Sequence, residues 1–167
     1  MKRKKAIKLA EEKLPKKRFE HSLRVAETGV KLAEMFGGDK NVVEIAGILH
    51  DYAKYDDLSV LYQAVTHYEL DNELLAYNSE ILHGPVAAEV MKHEHHIEDE
   101  EIYDAIYHHT CGRKQMRLNE KIIFVSDYIE PGRTQPGVDE IRDIVYNERN
   151  LDKAIYEISK RTTLYLV

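Results

Sequence analysis

Apolar positions recur along this chain at helical spacing and divide it into a series of amphipathic segments. Ala6, Leu9, Ala10 and Leu14 make a first stripe, which Pro15 ends. A second segment runs from about Lys16 to Phe36, with Phe19, Leu23, Ala26, Val30 and Ala33 three or four residues apart. Gly37 and Gly38 stop it, and Asp39 stands where it can cap the next helix. Asn41 to His50 is apolar on most sides, through Val42, Val43, Ile45, Ala46, Ile48 and Leu49, which predicts a central, buried helix. Asp56 to Asn72 is more weakly patterned and predicts one or two short helices. Pro85 suits a first helical turn, so a helix is expected from there through about His93, with His83 just ahead of it. Asp99 to His108 predicts another, with Ile102, Ala105 and Ile106 inward. The β-branched run in "EKIIFVSDYIEPG" has the composition of a strand. No partner strand is patterned elsewhere, so a buried helix is expected there too. Pro131-Gly132 and Pro136-Gly137 bracket a loop, and two last helices cover roughly Val138 to Tyr146 and Leu151 to the end. The expectation is an all-α bundle forming one domain over residues 1–167.

Composition narrows the class. A chain of 167 residues, 43% hydrophobic and 32% charged, has the make-up of a folded globular domain with a sizeable core. Its net charge of -6 argues against general nucleic-acid binding, which needs a basic face. The basic start, "KRKKAIKLAEEKLPKKR", reads as a solvated amphipathic helix. No apolar region follows it as in a secretory signal, and no apolar run approaches the ~18 residues of a membrane span. The single cysteine, Cys111, leaves no internal disulfide and fits a reducing compartment. A cytoplasmic location is expected, with no membrane or nucleic-acid partner.

The histidines change the picture most. There are nine, and five stand where an apolar element carries, ends or turns: His21, His50, His83 and the pair His108-His109. Asp51 follows His50, and Asp127 follows the run Ile122-Ile123-Phe124-Val125. Any one of these alone reads as a hydrogen-bonded histidine. Three or four imidazoles with two carboxylates, taken together, suit a first-row divalent metal. The same residue types suit a two-metal site, in which a shared carboxylate bridges and the ions activate water for phosphoryl displacement. Arg24 lies one turn after His21, Lys54 one turn past His50, and Arg133 follows Pro131-Gly132. Each offers positive charge to phosphate oxygens. Thr110 and Gly112 would let the backbone approach a phosphate, whereas Arg113 reads as solvent-facing.

Other features are decoys. "KHEHHIEDEE" (Lys92 to Glu101) reads as a solvated connection, which leaves His93, His95 and His96 outside the site, with His67. Cys111 to Arg117 satisfies the Cys-x5-Arg pattern of cysteine-based phosphatases, but a helix precedes the cysteine and bulky residues fill the loop. Tyr103 and Tyr107, of eleven tyrosines, read as core or helix surface rather than as base-stacking groups.

The order His21, His50-Asp51, Asp127 in an all-helical chain resembles the HD superfamily of metal-dependent phosphohydrolases. The blocks "EHSLRV", "GILHDYAK", "ILHGPVAA", "AIYHHTCGR" and "SDYIEPGR", spread from Phe19 to Arg133, resemble the bacterial symmetrical bis(5'-nucleosyl)-tetraphosphatases of that superfamily. The resemblance implies a dinuclear centre, of iron before manganese, cobalt, magnesium or zinc. It implies that His21, His50, Asp51 and Asp127 hold one ion. His83 and His109 would hold the second, with Asp51 bridging; His109 is chosen over His108 because it directly precedes Thr110. Catalysis would fall to Asp51, Lys54 and Arg133. Arg24, Lys54, His83, His109, Thr110, Asp127 and Arg133 would meet substrate. A metal-bound hydroxide would attack an inner phosphorus of diadenosine tetraphosphate and release two ADP, with GDP as the product from a guanosine substrate. The family pattern runs on past "TTLYL" with a short segment that helps close the nucleotide pocket, whereas this sequence stops at Val167. Two alternatives stand beside that reading: another HD hydrolase acting on a nucleoside triphosphate or guanosine alarmone, and a non-enzymatic metal and nucleotide sensor. Exposed tyrosines leave room for a homodimer.

Overall fold

The computed structural model describes residues 1–166, with side chains through Leu164, and holds no strand among them. The α-helices are α1 (Arg3–Lys13), α2 (Lys16–Phe36), α3 (Lys40–Leu49), α4 (Leu58–His67), α5 (Ser79–His93), α6 (Glu100–Tyr107), α7 (Leu118–Ile129), α8 (Val138–Tyr146) and α9 (Leu151–Leu166). A short 3-10 helix, Asn72–Ala76, joins α4 to α5. No helix among the described residues is long and apolar enough to cross a membrane.

Helix α3 is the hub, packed against α1, α2, α6 and α7. Its residues from Val42 to Leu49 are buried, apart from a partly exposed Glu44. The apolar run Ile122–Val125 is likewise buried, on a helix rather than a strand. Around α2 and α3 the punctuation acts as the sequence predicts. Gly37 closes α2 at φ 83°, in the left-handed region that glycine enters without steric cost. The Asp39 carboxylate accepts from the N–H groups of Asn41 (2.9 Å) and Val42 (3.1 Å), capping α3.

Two expectations are corrected. The buried face of α2 is not the stripe of its larger apolar residues. Phe19, Leu23 and Val30 are only partly buried, while His21, Ser22, Val25, Ala26, Thr28, Gly29, Leu32 and Ala33 face inward. Small residues win because α2 must lie close against both α3 and α7. Helix α5 begins at Ser79, six residues ahead of Pro85, so Pro85 is interior and His83 lies on the helix rather than before it. Pro85 forgoes one ladder hydrogen bond, but it is buried in the bundle with Val86, Ala87 and Ala88, and that packing offsets the loss. The connection after α5 is largely exposed, as its charge suggests, although Ile97 anchors it at 4% exposure.

Two glycines set the helix approaches that bring the histidines together. A Cβ on Gly47 would stand 2.7 Å from Ala26 Cα and 2.9 Å from Ala26 N. That contact holds the end of α3 against α2, one turn from His50. A Cβ on Gly84 would stand 2.9 Å from the Tyr107 carbonyl oxygen, so α5 meets the end of α6 beside His83. Because the Ala26 backbone cannot swing away, Gly47→Ala should lower unfolding stability by about 2–3 kcal/mol. A urea titration should show this as an earlier midpoint with an unchanged slope.

Candidate metal centre

Each of four imidazoles is oriented through its Nδ1. His50, at the end of α3, places Nδ1 2.7 Å from the Gly47 carbonyl oxygen. His109, just past α6, places Nδ1 2.7 Å from the Ile106 carbonyl oxygen, and His83 places it 3.0 Å from that of Ser79. A carbonyl only accepts, so Nδ1 carries a proton in each, and Nε2 is the nitrogen that would ligate an ion, in His50 once the second proton that its carboxylate neighbours hold there has left. His21 Nδ1 lies 3.5 Å from the Glu130 carboxylate, which favours the same tautomer.

The Nε2 atoms converge on two carboxylates. Asp51 Oδ2 is 3.2 Å from His50 Nε2 and 3.6 Å from His21 Nε2. Asp127 Oδ1 is 3.0 Å from His21 Nε2 and 3.5 Å from His50 Nε2. On the other side of the same carboxylate, Asp51 Oδ1 is 3.1 Å from His83 Nε2 and 3.6 Å from His109 Nε2. The two oxygens of Asp51 therefore face two different pairs of imidazoles.

This donor set fits divalent cations. Nitrogen and oxygen ligands about 2.1 Å from an ion lie roughly 3–3.5 Å from one another, the spacing seen here. His83 Nε2 and His109 Nε2 are 2.9 Å apart, a repulsive contact between two lone pairs unless a positive charge sits against them. His50 Nε2 and Asp51 Oδ2 are buried and make no well-directed hydrogen bond, Asp51 Oδ2 having Arg18 Nε as an ion-pair neighbour at 2.7 Å.

The electrostatics agree. Burial alone would push the His50 imidazole down, but the Asp51 and Asp127 carboxylates outweigh it and push its pKa up to about 10. Burial would raise Asp51, yet His50, His109 and His83 hold it well below the usual carboxylate range. His21 and His50 do the same for Asp127. His109 is pushed down, first by burial, and so stays neutral as a ligand must. Two ionised carboxylates among four imidazoles make a strong attractor for cations.

The site opens into a cavity of about 250 Å³ bounded by three cationic side chains, those of Arg18, Lys54 and Arg133. Lys54 Nζ lies 3.1 Å from Glu80, and Arg133 Nη2 lies 3.1 Å from Asp127 Oδ1. Thr110 lines the same cavity. Arg24 does not. Its guanidinium is paired with the buried carboxylate of Glu130, which also lies 3.5 Å from His21 Nδ1.

The decoys fall away on geometry. Arg113 and Arg117 both pair with Asp104 and Glu120. The Cys111 thiol is pushed up by burial, opposite to what a phosphatase nucleophile requires. His93 pairs with Glu89.

Two residues at the site are not marked by the sequence reading. Arg18 Nε lies 2.7 Å from Asp51 Oδ2, at the cavity wall. Its one signal is its place three residues before His21, hence on the same helix face. Glu130 sits at 1% exposure, between Arg24 and His21. No spacing rule marks it, because its partners come from α2. Glu130→Ala should weaken metal binding about 10–100-fold by releasing the His21 ring, measurable by competition with a fluorescent chelator.

Fold and site together define a metal-dependent phosphohydrolase of the HD type. The HD-domain family model matches residues 18–132. A relative from Staphylococcus aureus, named symmetrical bis(5'-nucleosyl)-tetraphosphatase, is 64% identical over 98% of this chain and 84% of its own length. One of the same name from Bacillus subtilis is 40% identical over 100% of this chain and 89% of its own. A crystal structure from Clostridium acetobutylicum, described as a predicted HD superfamily hydrolase involved in NAD metabolism, superposes with a TM-score of 0.92. It is 37% identical and covers 99% of this chain and 87% of its own. This chain belongs to the HD-domain family and, within it, to the family of symmetrical bis(5'-nucleosyl)-tetraphosphatases.

Proposed function

We propose that this protein hydrolyses dinucleoside tetraphosphates, diadenosine tetraphosphate among them, and releases two nucleoside diphosphates. The observation that carries the reading is the single carboxylate of Asp51, its two oxygens turned to two pairs of imidazoles beneath a rim of three cations. In this reading His21, His50, Asp127 and Asp51 would hold one divalent ion. His83, His109 and Asp51 would hold the other, with iron the first candidate for both. Bound there, the ions supply an activated water and positive charge against the phosphoryl oxygens.

The rest falls to the chain itself. Arg18, Lys54 and Arg133 bring positive charge to a substrate that is a string of phosphates. Each already rests on a carboxylate, Asp51, Glu80 or Asp127. Arg133 also donates from Nε to the Asp127 carbonyl oxygen at 2.9 Å, which fixes its fork at the cavity. Held there, Lys54 and Arg133 stabilise charge spreading onto the equatorial and leaving oxygens. A nucleoside diphosphate leaves readily, so no strong general acid is required. Thr110 offers a hydroxyl at the wall. The protein acts in the cytoplasm on free nucleotides, and exposed Tyr55, Tyr77 and Tyr156 leave surface for a second copy.

Chromatography of the products from diadenosine tetraphosphate tests this reading. ADP alone is expected. ATP with AMP in equal amounts, or no turnover of this substrate beside rapid turnover of a nucleoside triphosphate, would overturn it.

A further inference from the structure

Helix α7 brings Asp127 to the cluster of imidazoles and then has to end. A helix leaves its last four carbonyl groups without partners of its own. In α7 the last carbonyl paired within the helix is that of Ser126, which accepts from the Glu130 N–H at 3.0 Å. Pro131 has no N–H to offer Asp127. The carbonyls of Asp127, Tyr128, Ile129 and Glu130 each meet a side chain instead. Arg133 Nε donates to that of Asp127 at 2.9 Å, and Gln135 Nε2 to that of Tyr128 at 2.9 Å. The other two are served from α8. Arg142 donates through Nε to the Ile129 oxygen at 3.0 Å and through Nη2 to the Glu130 oxygen at 2.9 Å. The same Nη2 donates to the Arg133 carbonyl oxygen at 2.8 Å.

One guanidinium thus grips both ends of the turn from Glu130 to Arg133. It stands on a helix anchored by buried Val138, Ile141, Ile144 and Val145, and its side chain is only 24% exposed. A positive charge at the end of α7 also complements the helix dipole there. Arg142 does not line the phosphate cavity, whereas Arg133 does. The tip of Arg133 is fixed by Asp127, through Nε to the carbonyl oxygen and through Nη2 to Oδ1. Its backbone is fixed by Arg142. We infer that Arg142 is a positioning residue for the reaction: it braces the turn after α7 so that the Arg133 guanidinium stays at the phosphate cavity. The inference rests on the hydrolase reading above for the task given to Arg133, and it extends the machinery to a helix outside the site.

A double-mutant cycle with Arg133 tests this in the intact, metal-loaded protein. Arg142→Ala should lower kcat/KM for diadenosine tetraphosphate about 10–100-fold, through misplacement of Arg133. Arg142→Lys should recover little of it, because a compact ammonium lacks the planar fork that reaches three carbonyls at once. A merely structural lesion would multiply with the loss of Arg133. Acting through Arg133, the loss of Arg142 should instead cost at most about twofold once Arg133 is already alanine. Pyrophosphate binding, followed by calorimetry, gives a second readout that needs no turnover. It should weaken about tenfold in Arg142→Ala and at most about twofold further in Arg133→Ala. Elemental analysis should find the metal content of both Arg142 variants equal to that of the wild type. Multiplying losses in the cycle, activity within about twofold of wild type in both Arg142 variants, or metal lost from them would each overturn the assignment. If the coupling appears in pyrophosphate binding but diadenosine tetraphosphate is not cleaved, the positioning role stands and the hydrolase reading falls. Cleavage with multiplying losses has the reverse meaning.

Discussion

Asp51→Ala should remove both metal ions at once and lower kcat/KM for diadenosine tetraphosphate by about 10³-fold or more, roughly 4 kcal/mol of transition-state stabilisation. The size follows from position. Asp51 is 1% exposed and addresses all four imidazoles, two through each oxygen. Its loss leaves four nitrogen donors with one carboxylate, Asp127, on one side and none on the other. His109→Ala provides the contrast. His109 lies beside Oδ1 only, so that variant should lose one ion and keep the other. Steady-state kinetics and elemental analysis of both variants read the difference directly. Equal loss of one ion from each would mean that Asp51 does not bridge.

Metal removal should have the second largest effect. Chelation should abolish hydrolysis and lower the melting temperature, and readdition of the ion should restore both. With free ion at a thousand times its Kd, binding stabilises the folded chain by about 4 kcal/mol. For a domain of this size that is roughly 8–16 °C, readable by calorimetry with and without chelator. The pH dependence has a definite sign. Without metal the His50 imidazole holds its proton up to a pKa of about 10. A ligand must give that proton up, so binding releases it, and apparent affinity should fall about tenfold for each pH unit lowered below 10. An affinity independent of pH across the neutral range would contradict the assignment of His50 as a ligand. The pairing of Arg18 with Asp51 Oδ2 gives the metal-free chain some compensating charge, so it should remain folded.

Much of this architecture is legible in the sequence, for local reasons. The ends of α2 and α3 follow from Pro15, Gly37 and Asp39, whose effects are confined to a turn. The burial of α3 and of Ile122–Val125 follows from apolar runs too continuous for a surface. The histidine positions, taken with the family resemblance, mark residues that the fold does bring within reach of one another. What local pattern does not carry depends on contacts between distant segments. The inward face of α2 is chosen by Gly47 pressing on Ala26, which the spacing of Phe19, Leu23 and Val30 does not reveal. The start of α5 departs from expectation because a buried proline is tolerated inside a helix when packing outweighs one lost hydrogen bond. Arg24 is drawn off by Glu130, more than a hundred residues along the chain, and Arg18 stands at the cavity wall.

The central claim is that one carboxylate organises two cations. Elemental analysis of protein purified without chelator, referred to an accurate chain concentration, tests it most directly. The account predicts two divalent ions per chain; a saturated stoichiometry of one ion, or of none, would contradict it.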